Sequence, residues 1–179
     1  MTGQDSSPKP QTEAWAYIAL GSNIGDPRQN ILEVISRLEK LSTIPLAKSS
    51  LWQTTPVDCP PGSPPFVNAA AGLCPLPSET PESLLRKLQA LEREFGRKPK
   101  QVLNEPRSLD LDLIAFGNEV RETSELILPH PRAHQRRFVL APLAEIAPQL
   151  VLPGQTETVT QLLGGLTDDE AQTVTKLTS

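Results

Sequence analysis

The sequence predicts an α+β fold, a ferredoxin-like βαββαβ core sheet with packed helices and long loops. Three observations carry that expectation. Four segments read as strands and two as helices, in the order strand, helix, strand, strand, helix, strand. The 179 residues, 37% hydrophobic and 21% charged, suffice for one domain with a sizeable core. Nineteen prolines punctuate the element ends and imply long ordered loops.

Trp15 to Leu20 alternates and is rich in strand formers, so it makes the first strand. Gly21-Ser22-Asn23-Ile24-Gly25 is a turn, after which Asp26 caps a helix and Pro27 takes its first position. That helix runs to about Leu41, with Ile31, Ile35, Leu38 and Leu41 on one stripe. A second strand lies within Ile44 to Thr54. Thr55 to Pro65 holds five prolines and one glycine, too many prolines for a central strand. Phe66 to Leu73 is the third strand and carries Asn68. Ser78 or Thr80 caps the second helix, whose apolar face is Leu84, Leu85, Leu88, Leu91 and Phe95 and whose stop is Gly96. Gln89 and Glu92, three apart, point from one side of it.

Arg97 to Pro106 is a second long loop, with cations at Arg97, Lys98 and Lys100. The fourth strand spans Leu109 to Phe116, and Gly117-Asn118 is read as a hairpin turn. Ile127 to Pro129 is a short extended piece. Arg137 to Ile146 is helical, with Pro142 expected to kink or restart it. Val159 to Leu163 forms a weak helix ended by Gly164-Gly165. Residues 1–14 are read as a disordered lead. Residues 15–179 are read as a single domain, with a C-terminal extension from about residue 151. The sequence leaves the packing of that extension open.

The chemistry begins in the fourth strand. Leu109, Asp110, Leu111, Asp112 and Leu113 alternate apolar and acidic. Successive strand side chains point to opposite faces, so the leucines enter a core while Asp110 and Asp112 stand together on the other face. Two adjacent carboxylates suit a hard divalent cation such as Mg²⁺, which prefers oxygen ligands and bridges to phosphates. Arg107, just upstream, is placed to grip phosphate oxygens.

A second cluster is Leu128-Pro129-His130-Pro131-Arg132-Ala133-His134-Gln135-Arg136-Arg137-Phe138, where both histidines and three arginines fall within eight residues. Prolines on either side restrict the His130 backbone. Arginines bind phosphate oxygens in bidentate fashion. The net charge is −4, so a broad nucleic-acid surface is not expected and phosphate chemistry must use a local cluster of cations. Neither common glycine-rich phosphate loop is present. Cys59 and Cys74 match no metal spacing; the sequence leaves a disulfide between them open, and two free thiols of a cytoplasmic protein is the simpler reading.

Three blocks occur in order: YIALGSNIGD, PRSLDLDLIAFG and LPHPRAHQRRFVLAPLAEIAP. Together, over roughly Ala16 to Val151, the chain resembles the 6-hydroxymethyl-7,8-dihydropterin pyrophosphokinase family. The resemblance implies transfer of the β,γ-pyrophosphoryl group of ATP to the hydroxymethyl oxygen of the reduced pterin, with release of AMP, in tetrahydrofolate biosynthesis. It implies that Asp110 and Asp112 hold two Mg²⁺ ions. It implies that Arg97 and Arg107 grip ATP phosphates, that His130 and Arg136 contact the triphosphate, and that Gln89 and Glu92 lie near the nucleotide. Phe66 and Phe138 match the aromatics that sandwich the pterin, Asn68 the amide that reads its edge, and Thr54, Pro56 and Val57 the segment that completes its recognition. Asn23 matches an asparagine that props the surrounding loops. The residues offer no strong general base; Asp112 or water takes the hydroxyl proton.

The chain departs from the pattern at Pro99, Asn104 and Pro131, which stand where some members carry an arginine, an aromatic and a tyrosine. The two long loops are expected to close over the substrates. A monomer is expected, with no nucleic-acid or membrane partner. A non-catalytic α+β ligand-binding or regulatory module is the alternative, and a metal-dependent nuclease a third possibility that the net charge disfavours.

Overall fold

In the computed structural model, which describes residues 14–55, 61–96, 108–167 and 174–177, Ala16–Ser22 forms β1, an inner strand of the main sheet. Asp26 caps α1 (Pro27–Leu38) by accepting the Gln29 N–H at 3.1 Å, with Pro27 in the first turn. The α-helix stops at Leu38 and continues to Leu41 as a 3-10 turn. The segment 44–54 holds two short strands, β2 (Ala47–Lys48) and β3 (Trp52–Thr54), instead of one. Ser49 explains the break: its hydroxyl, not a backbone carbonyl, accepts the Ala70 N–H at 2.9 Å. Both strands pair with β4 (Phe66–Leu73).

α2 (Pro81–Glu94) starts at a capping box between Thr80 and Ser83 and stops at Gly96, whose φ is 85°. β5 (Asp110–Phe116) then lies beside β1. Gly117 turns the chain with φ 54°, but not into a hairpin on β5, because its N–H bonds the Trp15 carbonyl across the sheet. The next strands, β6 (Arg121–Glu122) and β7 (Ile127–Leu128), pair with each other instead. Two ion pairs hold this hairpin on α2: Arg121 to Glu82 at 2.7 Å and Arg86 to Glu125 at 3.2 Å.

α3 (Arg137–Ile146) runs through Pro142 unbroken. Pro142 lacks the N–H that the Phe138 carbonyl would receive in a regular ladder. The C-terminal segment supplies α4 (Val159–Gly164), capped by Thr158 and packed on α3. It also supplies a strand absent from the sequence expectation, β8 (Val174–Lys176), which pairs with β3.

The main sheet runs β5-β1-β4-β3-β8, with β2 also on β4, and every pairing is antiparallel. Its core strands stand in the order fourth, first, third, second, as a ferredoxin-like fold requires. Both faces are covered. Ile18, Leu20, Ala69, Leu111 and Leu113 join residues of α1 and α2 in one core. Ala70, Ile114, Leu140, Leu143 and Val159 form the other, beneath α3 and α4. The alanines of β4 keep both layers close to it. Leu109, Leu111 and Leu113 are buried on the α1–α2 side, so period two turns Asp110 and Asp112 toward the α3 side. Among the described residues no helix is long and apolar enough to cross a membrane.

Candidate active site

Register across three strands builds the site. Asp110 on β5 pairs with Gly21 on β1, and Gly21 pairs with Asn68 on β4. Trp52 on β3 extends the row from Asn68. One step along lies a second row, Asp112, Ala19 and Ala70. Directly paired residues project from one face. With strands about 4.8 Å apart, Asp110 and Asn68 flank a gap of about 10 Å whose floor is Gly21. A Cβ at Gly21 would lie 3.8 Å from Asn68 Nδ2 and 3.8 Å from Phe66 Cδ1. Both side chains therefore lean over a floor that carries no side chain of its own.

Thr54 and Asn68 are both buried, and Thr54 Oγ1 donates to Asn68 Oδ1 at 3.2 Å. That bond sets the rotation of the amide and turns its Nδ2 toward Gly21. Phe66, half-buried, pairs with Thr54. Phe138, also half-buried, sits in the first turn of α3, which packs against β4. The Arg136 guanidinium lies 5.5 Å from the centroid of the Phe138 ring.

His130 is anchored by its N–H to the Ile114 carbonyl at 2.9 Å. Its Nδ1 accepts the Arg132 N–H at 3.3 Å, so the neutral ring carries its proton on Nε2. Burial pushes its pKa below the ordinary histidine value; Arg136 adds to this, Asp110 opposes it and Arg132 lowers it further. The imidazole is thus within electrostatic reach of both the Asp110 carboxylate and the Arg136 guanidinium.

Glu92 on α2 is buried, and its Oε2 accepts the Leu111 N–H at 3.3 Å, at the position between Asp110 and Asp112. Gln89, one turn back, is exposed. A cavity of about 270 Å³ opens here, lined in part by Asp112, Leu113, Ser124, Glu125, Ile127 and His130. Among the described residues no group of three or more His, Cys, Asp or Glu gathers. The donor set is two carboxylates from one strand. That suits Mg²⁺, which takes one or two carboxylates and completes its octahedron with substrate and water oxygens.

Sequence reasoning expected Asn23 to prop the surrounding loops but missed the part that Ser22 and Asn30 take in bracing the site. Ser22 Oγ and Asn30 Nδ2 both donate to the Ser108 carbonyl, at 2.5 and 3.2 Å, two residues before Asp110. Asn23, buried, donates from Nδ2 to the Pro64 carbonyl at 3.3 Å, two residues before Phe66. The junction from the end of β1 to the first turn of α1 therefore holds the chain just ahead of both β5 and β4. The one local signal was that hydroxyl and amide side chains cluster in it. Pro56, Val57, Arg97 and Arg107 lie outside the described residues, as do Cys59, Pro99 and Asn104.

Residues 17–148 match the family described as 7,8-dihydro-6-hydroxymethylpterin-pyrophosphokinase. The chain is 42% identical over 136 residues to the 2-amino-4-hydroxy-6-hydroxymethyldihydropteridine pyrophosphokinase of Bacillus subtilis, covering 75% of this chain and 79% of that one. It is 38% identical over 157 residues to the protein of the same name from Haemophilus influenzae, covering 86% and 93%. Among solved structures, an HPPK-DHPS in complex with substrates superposes with a TM-score of 0.63 at 12% identity. That match covers 85% of this chain and 43% of the other, and bears on the fold alone.

Proposed function

Because this chain belongs to the 7,8-dihydro-6-hydroxymethylpterin-pyrophosphokinase family, it transfers the β,γ-pyrophosphoryl group of ATP to hydroxymethyldihydropterin in folate synthesis, and we propose that the row across β5, β1 and β4 is where it does so. One observation carries the placement. Register sets a carboxylate, Asp110, and an amide, Asn68, on either side of a bare floor at Gly21. An anionic triphosphate and a flat heterocycle with a hydrogen-bonding edge need those two ends side by side.

Asp110 and Asp112 hold two Mg²⁺ ions in this reading. Bound there, the ions would supply positive charge to offset that of the phosphates. His130 donates from Nε2 to a phosphate oxygen as a neutral ring, and Arg136 adds a guanidinium. Arg97 and Arg107 grip the ATP phosphates in this reading. The cavity beside Asp112 and His130 seats the rest of the nucleotide, with Gln89 and Glu92 contributed by α2. Asn68 Nδ2 reads the pterin edge, Thr54 with Pro56 and Val57 completes that edge, and Phe66 and Phe138 stack on the ring. The loops spanning 55–65 and 97–106 close over the substrates and exclude water. The protein works as one domain and a monomer. In this reading the protein is cytoplasmic.

The test is AMP release from ATP and Mg²⁺ with and without 6-hydroxymethyl-7,8-dihydropterin, read by liquid chromatography. Pterin-dependent AMP matched by pterin diphosphate is expected, lost when Mg²⁺ is chelated and in Asp110→Ala. ADP in place of AMP would mean attack at the γ-phosphorus and overturn the reading. Tight pterin binding without turnover would favour a ligand-binding module.

A further inference from the structure

Glu145 follows Phe138 by seven residues on α3, two turns along the same stripe. Its carboxylate gathers donors from a short stretch of chain. Oε2 accepts the Ser50 N–H at 3.3 Å and the Ser50 hydroxyl at 2.9 Å, and Oε1 accepts Trp52 Nε1 at 2.5 Å. Lys176 on β8 places its ammonium 3.5 Å from Oε2 and 6.0 Å from the centroid of the Trp52 ring. Partial burial alone would raise the Glu145 pKa, but the hydrogen bonds from Trp52 and Ser50, with Lys176, hold it below the ordinary range.

What these contacts join matters more than their number. Trp52 is the cross-strand partner of Asn68, and Thr54 pairs with Phe66 on one side and Val174 of β8 on the other. The Leu177 N–H bonds the Leu51 carbonyl at 2.8 Å, so β8 covers the outer edge of β3. Pro142 removes a helical donor from the Phe138 carbonyl, so the first turn of α3 leans more heavily on tertiary contacts. Three hydrogen bonds to one carboxylate fix both the depth and the rotation of the helix above β3.

We infer that Glu145 is a positioning residue for the pterin: it sets the gap between α3, which carries Phe138, and the β3–β4 pair, which carries Thr54, Phe66 and Asn68, with β8 as the outer clamp. The inference rests on the pterin seat proposed above. It gives the C-terminal strand a part in the reaction, through β3.

The test compares the dissociation constant for the pterin with KM for ATP in wild type, Glu145→Ala, Glu145→Gln, Trp52→Phe and Lys176→Met. Glu145→Ala should weaken pterin binding about tenfold, the scale of a small misplacement of a binding group, with KM for ATP changed less than about twofold. Glu145→Gln keeps one acceptor oxygen, enough for Trp52 or for Ser50 but not for both, and should recover part of the loss. Trp52→Phe keeps a ring but removes the Nε1 donor, and should weaken pterin binding about threefold even if Glu145→Ala does not fold. Lys176 is half-exposed, so Lys176→Met should change binding less than about threefold. A folded Glu145→Ala with wild-type pterin affinity overturns the inference. So does an equal loss for both substrates that tracks a fall in Tm. Asn68→Ala and Phe138→Ala are the controls: if both leave pterin binding intact, the seat itself is misplaced, whatever Glu145 does.

Discussion

His130 shows how a residue's chemistry comes from its neighbours. Burial and Arg136 keep its ring neutral more strongly than Asp110 can oppose. The Arg132 N–H on Nδ1 then leaves Nε2 as the donor. A neutral ring can donate Nε2–H to an anionic oxygen without itself carrying charge. The same shift predicts a pH dependence of stability. The ordinary value is 6.5 and the folded value lies below it, so the unfolded chain takes up the proton first. This contribution is complete above the unfolded pKa and is lost as pH falls through the folded pKa. Tm should therefore fall as pH drops from about 7 to about 5, and His130→Gln should flatten that limb. An unchanged slope in the variant would assign the fall to other groups.

At the level of elements, the junction of β1 with α1 is the brace of the candidate site. Ser22 is fully buried, and its hydroxyl and the Asn30 amide share the Ser108 carbonyl, just ahead of β5. A part-buried carbonyl tolerates the loss of one donor better than the loss of both. Ser22→Ala and Asn30→Ala should each cost about 1 kcal/mol in urea unfolding, and the double variant about 1–3 kcal/mol more than the sum of the two. Because Ser108 leads into Asp110, kcat should fall in the double variant under conditions where it is fully folded. Strictly additive losses with unchanged kcat would show that the two donors do not cooperate on β5. Glu92 braces the same strand from outside, taking the Leu111 N–H that an edge strand would otherwise leave to solvent.

Over the whole molecule, the sheet is the meeting plane of two cores, and the site lies where three of its strands come into register. The site is assembled from β5, β1, β4 and α3, so it exists in the folded chain alone. A ligand that binds only the folded state at a hundred times its Kd adds about 2.7 kcal/mol of stability. For a chain of this size, MgATP should raise Tm by about 5–10 °C. Chelating Mg²⁺ should remove most of that shift, and Asp110→Asn with Asp112→Asn should abolish the Mg²⁺-dependent part. A shift indifferent to Mg²⁺ would sink the carboxylate seat while leaving nucleotide binding in place.

Local physics made much of this legible in the chain itself. The alternation from Leu109 to Leu113 determines that the two carboxylates share a face, because the strand period is set residue by residue. Asp26, Thr80 and Gly96 mark helix ends through bonds and torsions within a turn. The order of elements was enough to expect the ferredoxin-like sheet. Other features depended on partners far away in sequence. Nothing near Asp110 says that Gly21 and Asn68 will stand beside it; register is decided by how strands pack across the sheet. Ser49 splits the second strand because its hydroxyl meets Ala70, twenty-one residues on. Val174–Lys176 is too short to show a period and becomes a strand because β3 offers an open edge. Glu145 reads as one more charge on a helix until Ser50, Trp52 and Lys176 converge on it. Strand and helix periods, fixed residue by residue, set which groups point together from one element; which elements face each other is set by packing between residues the chain keeps far apart.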